Sequence, residues 1–177
     1  GIEVSWSDIG KVLDDEMSSI EDIRTDLVRN DKGNVCQSID NCMTVFQRDP
    51  LLKGAIRKNE LSGKIDIVGE MGWERTSCSV TDTDVYQLYW YLEKQYGLKN
   101  ERNINKAMNI VASENRYHPI RKYLEQLAWD GKYRIGKLLP KYLGAEDDAY
   151  TREIMQLLML AAIHRIYEPG CKYEIMV

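Results

Sequence analysis

The chain has 177 residues, of which 44% are hydrophobic and 29% charged, the composition of a globular protein and not of a disordered tail. That length holds one domain or two small ones and buries enough apolar surface to fold without disulfides or a metal. A formal net charge of −4 excludes a dedicated, strongly basic nucleic-acid module.

Charge is unevenly spread. Residues 1–30 carry eight acids and three bases, so residues 31–177 sum to +1, and any DNA contact must be a local patch. Cys36, Cys42, Cys78 and Cys171 form no CxxC pair and are expected to be reduced thiols. The opening residues do not read as a signal peptide. The longest apolar run, Ile154 to Ile163, is about half of a membrane span and predicts a buried helix.

In residues 1–24, Trp6, Ile9, Val12 and Leu13 recur at helical spacing behind a candidate cap, Ser7. The cluster Asn30-Asp31-Lys32-Gly33 predicts a turn between two short strands. Ser38 is placed to cap a helix that ends before Asp49-Pro50. "GAIRKNELSGKIDIVG" predicts a hairpin, with Ala55–Glu60 and Lys64–Val68 flanking Leu61-Ser62-Gly63. Residues 73–80 read as loop. Thr81 with Asp84 resembles a capping box for a helix striped by Val85, Leu88, Tyr89, Leu92 and Tyr96, closed by Gly97.

The next helix uses Ile104, Ala107, Met108, Val111 and Ala112. Pro119 then starts a helix whose stripe is Ile120, Tyr123, Leu124 and Leu127, stopped at Asp130-Gly131. A short helix, Ile135 to Leu143, ends at Gly144. The last helix starts behind Glu146-Asp147-Asp148 and runs to about Tyr167. The fold class is α+β, mostly helical, with about seven helices and one or two small β-hairpins. Three parts are expected: an acidic N-terminal segment 1–34, an α+β subdomain 35–115 with hairpin 55–68, and a helical region 116–177.

Catalytic signals are absent from the pattern. His118 and His164 are the only histidines, and His118 before Pro119 reads as a helix-start residue. No phosphate loop or metal-ligand spacing is visible, so no catalytic, cofactor or metal residue is assigned. Basic residues gather twice. One set is Arg48, Lys53, Arg57, Lys58 and Lys64. The other is Arg116, Arg121, Lys122, Lys132, Arg134, Lys137 and Lys141, interleaved with Tyr117, Tyr123, Trp129 and Tyr133. Such interleaving suits a single strand, held by charge and stacking. The competing reading is a solvated face with the aromatics turned inward. The candidate phosphate contacts are Arg116, Arg121, Lys122, Lys132 and Arg134, with Tyr133 as the stacking candidate.

The order of short motifs adds to this. His118-Pro119, Tyr123-Leu124, Trp129-Asp130-Gly131, Tyr142-Leu143-Gly144-Ala145-Glu146, Tyr150-Thr151-Arg152 and Glu168-Pro169-Gly170-Cys171-Lys172 occur in sequence. Together with "NELSGKIDIVG" and "TDTDVYQLYWYLEKQYG", they resemble the virulence-associated E family of phage, prophage and plasmid proteins related to primase-helicases. The resemblance spans about residues 34–177. It implies that the strand opened by "KYEIMV" runs into a Walker A loop beyond Val177, where a superfamily 3 helicase ATPase domain using ATP and Mg²⁺ begins.

On that resemblance the chain is the accessory and assembly region of a mobile-element replication protein, without catalysis of its own. Its implied partners are DNA, single-stranded in the first instance, a downstream ATPase domain, a primase and further copies in an oligomer. Its implied setting is the cytoplasm of a bacterial host. The alternative is a protein-interaction module whose acidic first 30 residues dock a primase or host replication factor.

Overall fold

The structure, a computed structural model, describes residues 19–172. The expected helix around Trp6, Ile9, Val12 and Leu13 and the expected strand over Tyr173–Val177 lie outside the described residues. The chain divides into two compact units, Gly1–Tyr117 and His118–Val177. The α+β, mostly helical class holds, with seven α-helices and one two-stranded antiparallel sheet among the described residues.

In the first unit, helix α1 covers residues 19–26. Helix α2 follows at Ile39–Arg48, strands β1 and β2 at Ile56–Lys58 and Ile65–Ile67, helix α3 at Asp82–Tyr96 and helix α4 at Glu101–Glu114. Helix starts follow local chemistry. Ser38 accepts the Asn41 N–H, Thr81 and Asp84 form a reciprocal capping box, and Asn100 accepts the Asn103 N–H. Gly97 closes α3 at φ 70°, a left-handed conformation that glycine adopts without steric cost.

The apolar faces meet in one core. Phe46, the only phenylalanine in the chain, is fully buried with Val45, Leu52, Ile56, Leu92 and Leu98. Ile23 and Leu27, from the stretch read as an acidic segment, are buried in the same cluster. Each such side chain contributes about 1.5–3 kcal/mol on leaving water.

Three buried carboxylates tie the elements together. Asp49, fully buried, accepts from Tyr91 (2.8 Å) and Tyr96 (2.6 Å) on one oxygen and from the Leu51 and Leu52 amides on the other. The second, Asp66 on β2, accepts from Asn59, Tyr117 and Ser79 at 2.7–2.9 Å. Burial alone would push its carboxyl up. The hydrogen bonds of Tyr117, Asn59 and Ser79, with the charge of Arg75, outweigh it and hold the group below its usual range. Asp84 receives Trp73 Nε1 and Arg75 Nε on Oδ1 and Thr81 on Oδ2. Here too burial opposes ionisation, and these donors prevail, lowering the carboxyl to about 2.

The sheet runs Ile56↔Ile67, Arg57↔Asp66 and Lys58↔Ile65. Backbone bonds extend it on both sides, since the Ile67 and Val80 amides pair across residues 78 and 65 and the Tyr117 N–H donates to Lys58. Residues 73–80, read as loop, are therefore pinned strand-like at their end. The pair of strands expected around Asn30 shrinks to one bridge, Arg29↔Val35. The Asn41 amide takes over, accepting the Val28 N–H and donating to the Val28 and Cys36 carbonyls. A buried side chain thus satisfies backbone groups that a ladder would have used.

The second unit holds α5 (Pro119–Glu125), a 3-10 turn (Ile135–Lys137), α6 (Leu138–Leu143) and α7 (Ala149–Tyr167). His118 caps α5, its Nδ1 accepting the Arg121 N–H at 3.3 Å. The expected stripe of α5 is only partly covered: Ile120 and Leu124 are half-buried, Tyr123 is 62% and Leu127 56% exposed, and the helix stops at Glu125. Its end tightens into i→i+3 bonds, Gln126 to Tyr123 and Leu127 to Leu124, and seven residues are too few to propagate a helix that packing does not hold. Asp148 caps α7 with Thr151 in a reciprocal box. Of its nineteen residues only Met155 and Ala161 are buried, although a helix apolar on all sides belongs in an interior.

Removing a buried ion-pair partner strands the other charge. Asp84→Ala should destabilise the first unit by about 3 kcal/mol in urea unfolding. Asp66 and Asp84 both have lowered folded values, so their stabilisation is complete above about pH 4 and is lost in acid, that of Asp84 as pH falls toward about 2. Urea midpoints measured across that window should drop for the native chain and drop less for Asp84→Ala.

Candidate nucleic-acid interface

From Arg116 to Lys141 the sequence places seven bases against two acids, Glu125 and Asp130. The six candidate residues divide between the two units. Arg116 lies at the end of the first unit, exposed, with Nε on the Ser113 carbonyl at 3.0 Å. The other five belong to the second unit.

Arg121 is turned to an internal task. Its guanidinium donates to the carbonyls of Ile166 (2.9 Å) and Tyr167 (3.2 Å) and lies over the Tyr167 ring at 5.5 Å. A helix leaves its last carbonyls unpaired, and a cation there meets both the lone pairs and the negative end of the dipole. The side chain read as a phosphate ligand is thus ligating the end of α7. Lys122, one residue on, is exposed.

The turn after α5 is held by Asp130. Its Oδ1 accepts the Lys132 N–H at 3.1 Å and Arg134 Nη1 at 2.8 Å, and its Oδ2 takes Arg134 Nη2. Gly131 sits at φ 78°. The Arg134 hydrogen bonds, followed by the Lys132 amide, hold the Asp130 carboxyl below its ordinary range. So Arg134 is paired, while the Lys132 side chain reaches solvent. Tyr133 anchors the turn to α7: its hydroxyl accepts from Gln156 Nε2, and its ring covers Gly136, where a Cβ would stand 2.7 Å from the Tyr133 hydroxyl. Even so Tyr133 is 54% exposed.

The most exposed large apolar side chain among the described residues is Trp129, at 81%. It leads directly into the Asp130 turn and is flanked in sequence by Lys122 and Lys132. Sequence reading placed it in the basic-aromatic set but chose Tyr133 for stacking. The signal that favours Trp129 is its position next to Asp130-Gly131, where a turn lifts the neighbouring side chain away from any helix face.

Elsewhere, an open cleft of about 650 Å³ in the first unit is lined by Met71, Trp73, Arg75, Cys78 and Tyr117. The Arg75 nitrogens there are committed to Asp84, the Ile67 carbonyl and the Cys78 carbonyl. Among the described residues no three His, Cys, Asp or Glu side chains stand close enough to share a metal. No helix among them is long and apolar enough to cross a membrane.

With this geometry in hand, comparison with known proteins is informative over the second unit. Residues 124–177 match the family model of the virulence-associated protein E-like domain. The match supports the family resemblance read from motif order and associates the chain with phage- and plasmid-borne proteins. It begins within α5 and takes in the Asp130 turn, α6 and α7. No curated protein matches the chain.

Arg121 and Lys122 should separate in a stability measurement. Arg121→Ala should speed hydrogen exchange of the last-turn amides of α7, residues 164–168, while Lys122→Ala leaves them unchanged.

Proposed function

We propose that this chain is the accessory and assembly region of a mobile-element DNA replication protein, with auxiliary contact to single-stranded DNA and no catalysis of its own. The observation that carries the DNA contact is Trp129, 81% exposed on a turn braced by Asp130 and followed by Lys132. An indole offered to solvent costs free energy unless it meets a partner, and stacking on a base is worth about 1–3 kcal/mol. Lys122 and Lys132, exposed on either side of it in sequence, supply charge. Arg121 and Arg134, committed to the α7 carbonyls and to Asp130, shape the surface and do not ligate phosphate.

The family match supports the setting: phage- or plasmid-encoded, acting in the cytoplasm of a bacterial host. In the longer replication protein a downstream ATPase domain would bind ATP and Mg²⁺ and supply the motor, and a primase would act on the same strand. This chain's residues would hold or guide that strand.

The test is ssDNA binding over a salt series. Trp129→Ala should lower affinity about tenfold at every salt concentration, and Lys122→Glu with Lys132→Glu should lower both affinity and the slope of log K against log salt by about one per contact removed. Retained affinity and slope in both variants would defeat the DNA reading. Capture of a primase through residues 1–30, without DNA binding, would replace it with the interaction-module reading.

A further inference from the structure

α7 carries Tyr150, Glu153, Leu157, Leu160, His164 and Tyr167 at alternating steps of three and four, the spacing of a coiled-coil seam. All six face outward. Tyr150 is 70% exposed, Leu157 49%, Leu160 63% and Tyr167 43%, while the His164 side chain is 56% exposed and Glu153 is exposed. Two of them have partners within the chain. His164 Nε2 meets Glu168 Oε2 at 3.0 Å, and the Arg121 guanidinium lies over one part of Tyr167.

The seam reads alike in both directions from its middle. Leu157 and Leu160 form the centre, an acid and an imidazole flank them, and a tyrosine closes each end. Two such helices laid antiparallel set Leu157 against Leu160 of the second copy. The same register sets Glu153 against His164 and Tyr150 against Tyr167. A parallel pair would stack Glu153 on Glu153 and His164 on His164, like on like.

We propose that α7 is a homodimerisation helix that pairs antiparallel with α7 of a second copy along this seam. A twofold interface requires that residue i meet j and j meet i, and all six positions satisfy that rule about a single point between Leu157 and Leu160. An unrelated partner would impose no such symmetry. The seam is about 26 Å long, some two and a half heptads, so the dimer is reversible and concentration-dependent. This names the partner for the assembly role proposed above and rests on that role, but it does not rest on DNA contact.

Sedimentation velocity of the full chain over a concentration series tests it. The native chain should show a monomer–dimer equilibrium. Leu160→Glu should be monomeric with unchanged helical circular dichroism, since Leu160 is 63% exposed. His164→Glu, which sets a carboxylate against Glu153 of the second copy at each end, should weaken the dimer at least about tenfold, and Glu153→Lys with His164→Glu should restore it. Should Leu160→Glu lose helix content, the charge-reversal pair decides alone. A monomer at every concentration, association indifferent to His164→Glu, failure of the double variant to restore it, or mass that grows past the dimer would each overturn the proposal. DNA binding is read separately in the same samples: a dimer without affinity for ssDNA defeats only the DNA reading, and a DNA-binding monomer defeats only this one.

Discussion

The second unit depends on one constraint: α7 is apolar on all its sides, and its own unit covers only a small part of it. Nineteen residues with two buried side chains, Met155 and Ala161, leave Leu157, Leu158, Leu160 and Ile163 against water. What the unit does provide is fixation of the ends. Asp148 and Thr151 cap the start, Arg121 ligates the last carbonyls, and Tyr133 grips Gln156. The helix is thus shaped and positioned by polar contacts at its edges, while its apolar surface is left for something else to cover. Its polar ends are held while much of its apolar middle stays exposed.

The first unit solves the opposite problem. Its apolar residues close on themselves around Phe46, Leu92 and Ile104, and the polar groups trapped inside are each given several partners. Asp49, Asp66 and Asp84 each accept at least three hydrogen bonds, which is what makes a buried carboxylate tolerable. These bonds also fix geometry. Tyr117, bonded to Asp66 through its hydroxyl and to Lys58 and Glu60 through its backbone, secures the end of the first unit to the hairpin just before His118 starts the next helix.

Much of the fold was legible because it follows from nearest neighbours. Ser38, the Thr81–Asp84 box, Gly97, Pro119 and Gly144 act within a turn of where they stand, and each does what its local chemistry implies. The misreadings are non-local. Nothing adjacent to Asn41 reveals that its amide will replace a strand ladder, and nothing in the periodicity of Tyr123 and Leu127 reveals that no element lies over them. The candidate site divides in the same way. A basic residue looks alike in sequence whether it meets a carbonyl, a carboxylate or solvent, so the internal bonds of Arg121 and Arg134 were not visible beside the exposed Lys122 and Lys132. Trp129, by contrast, was marked by the turn beside it.

The central claim is that the two units differ in self-sufficiency, and native-state hydrogen exchange in dilute solution tests it most directly. Core amides of α4, such as those of Ile104 to Ala112, should exchange only through global opening of the first unit. Amides in the middle of α7, residues 157–163, should exchange orders of magnitude faster and gain protection as the chain is concentrated. Equal, concentration-independent protection of α7 and α4 would mean that α7 is already buried within the single chain, and would contradict the account.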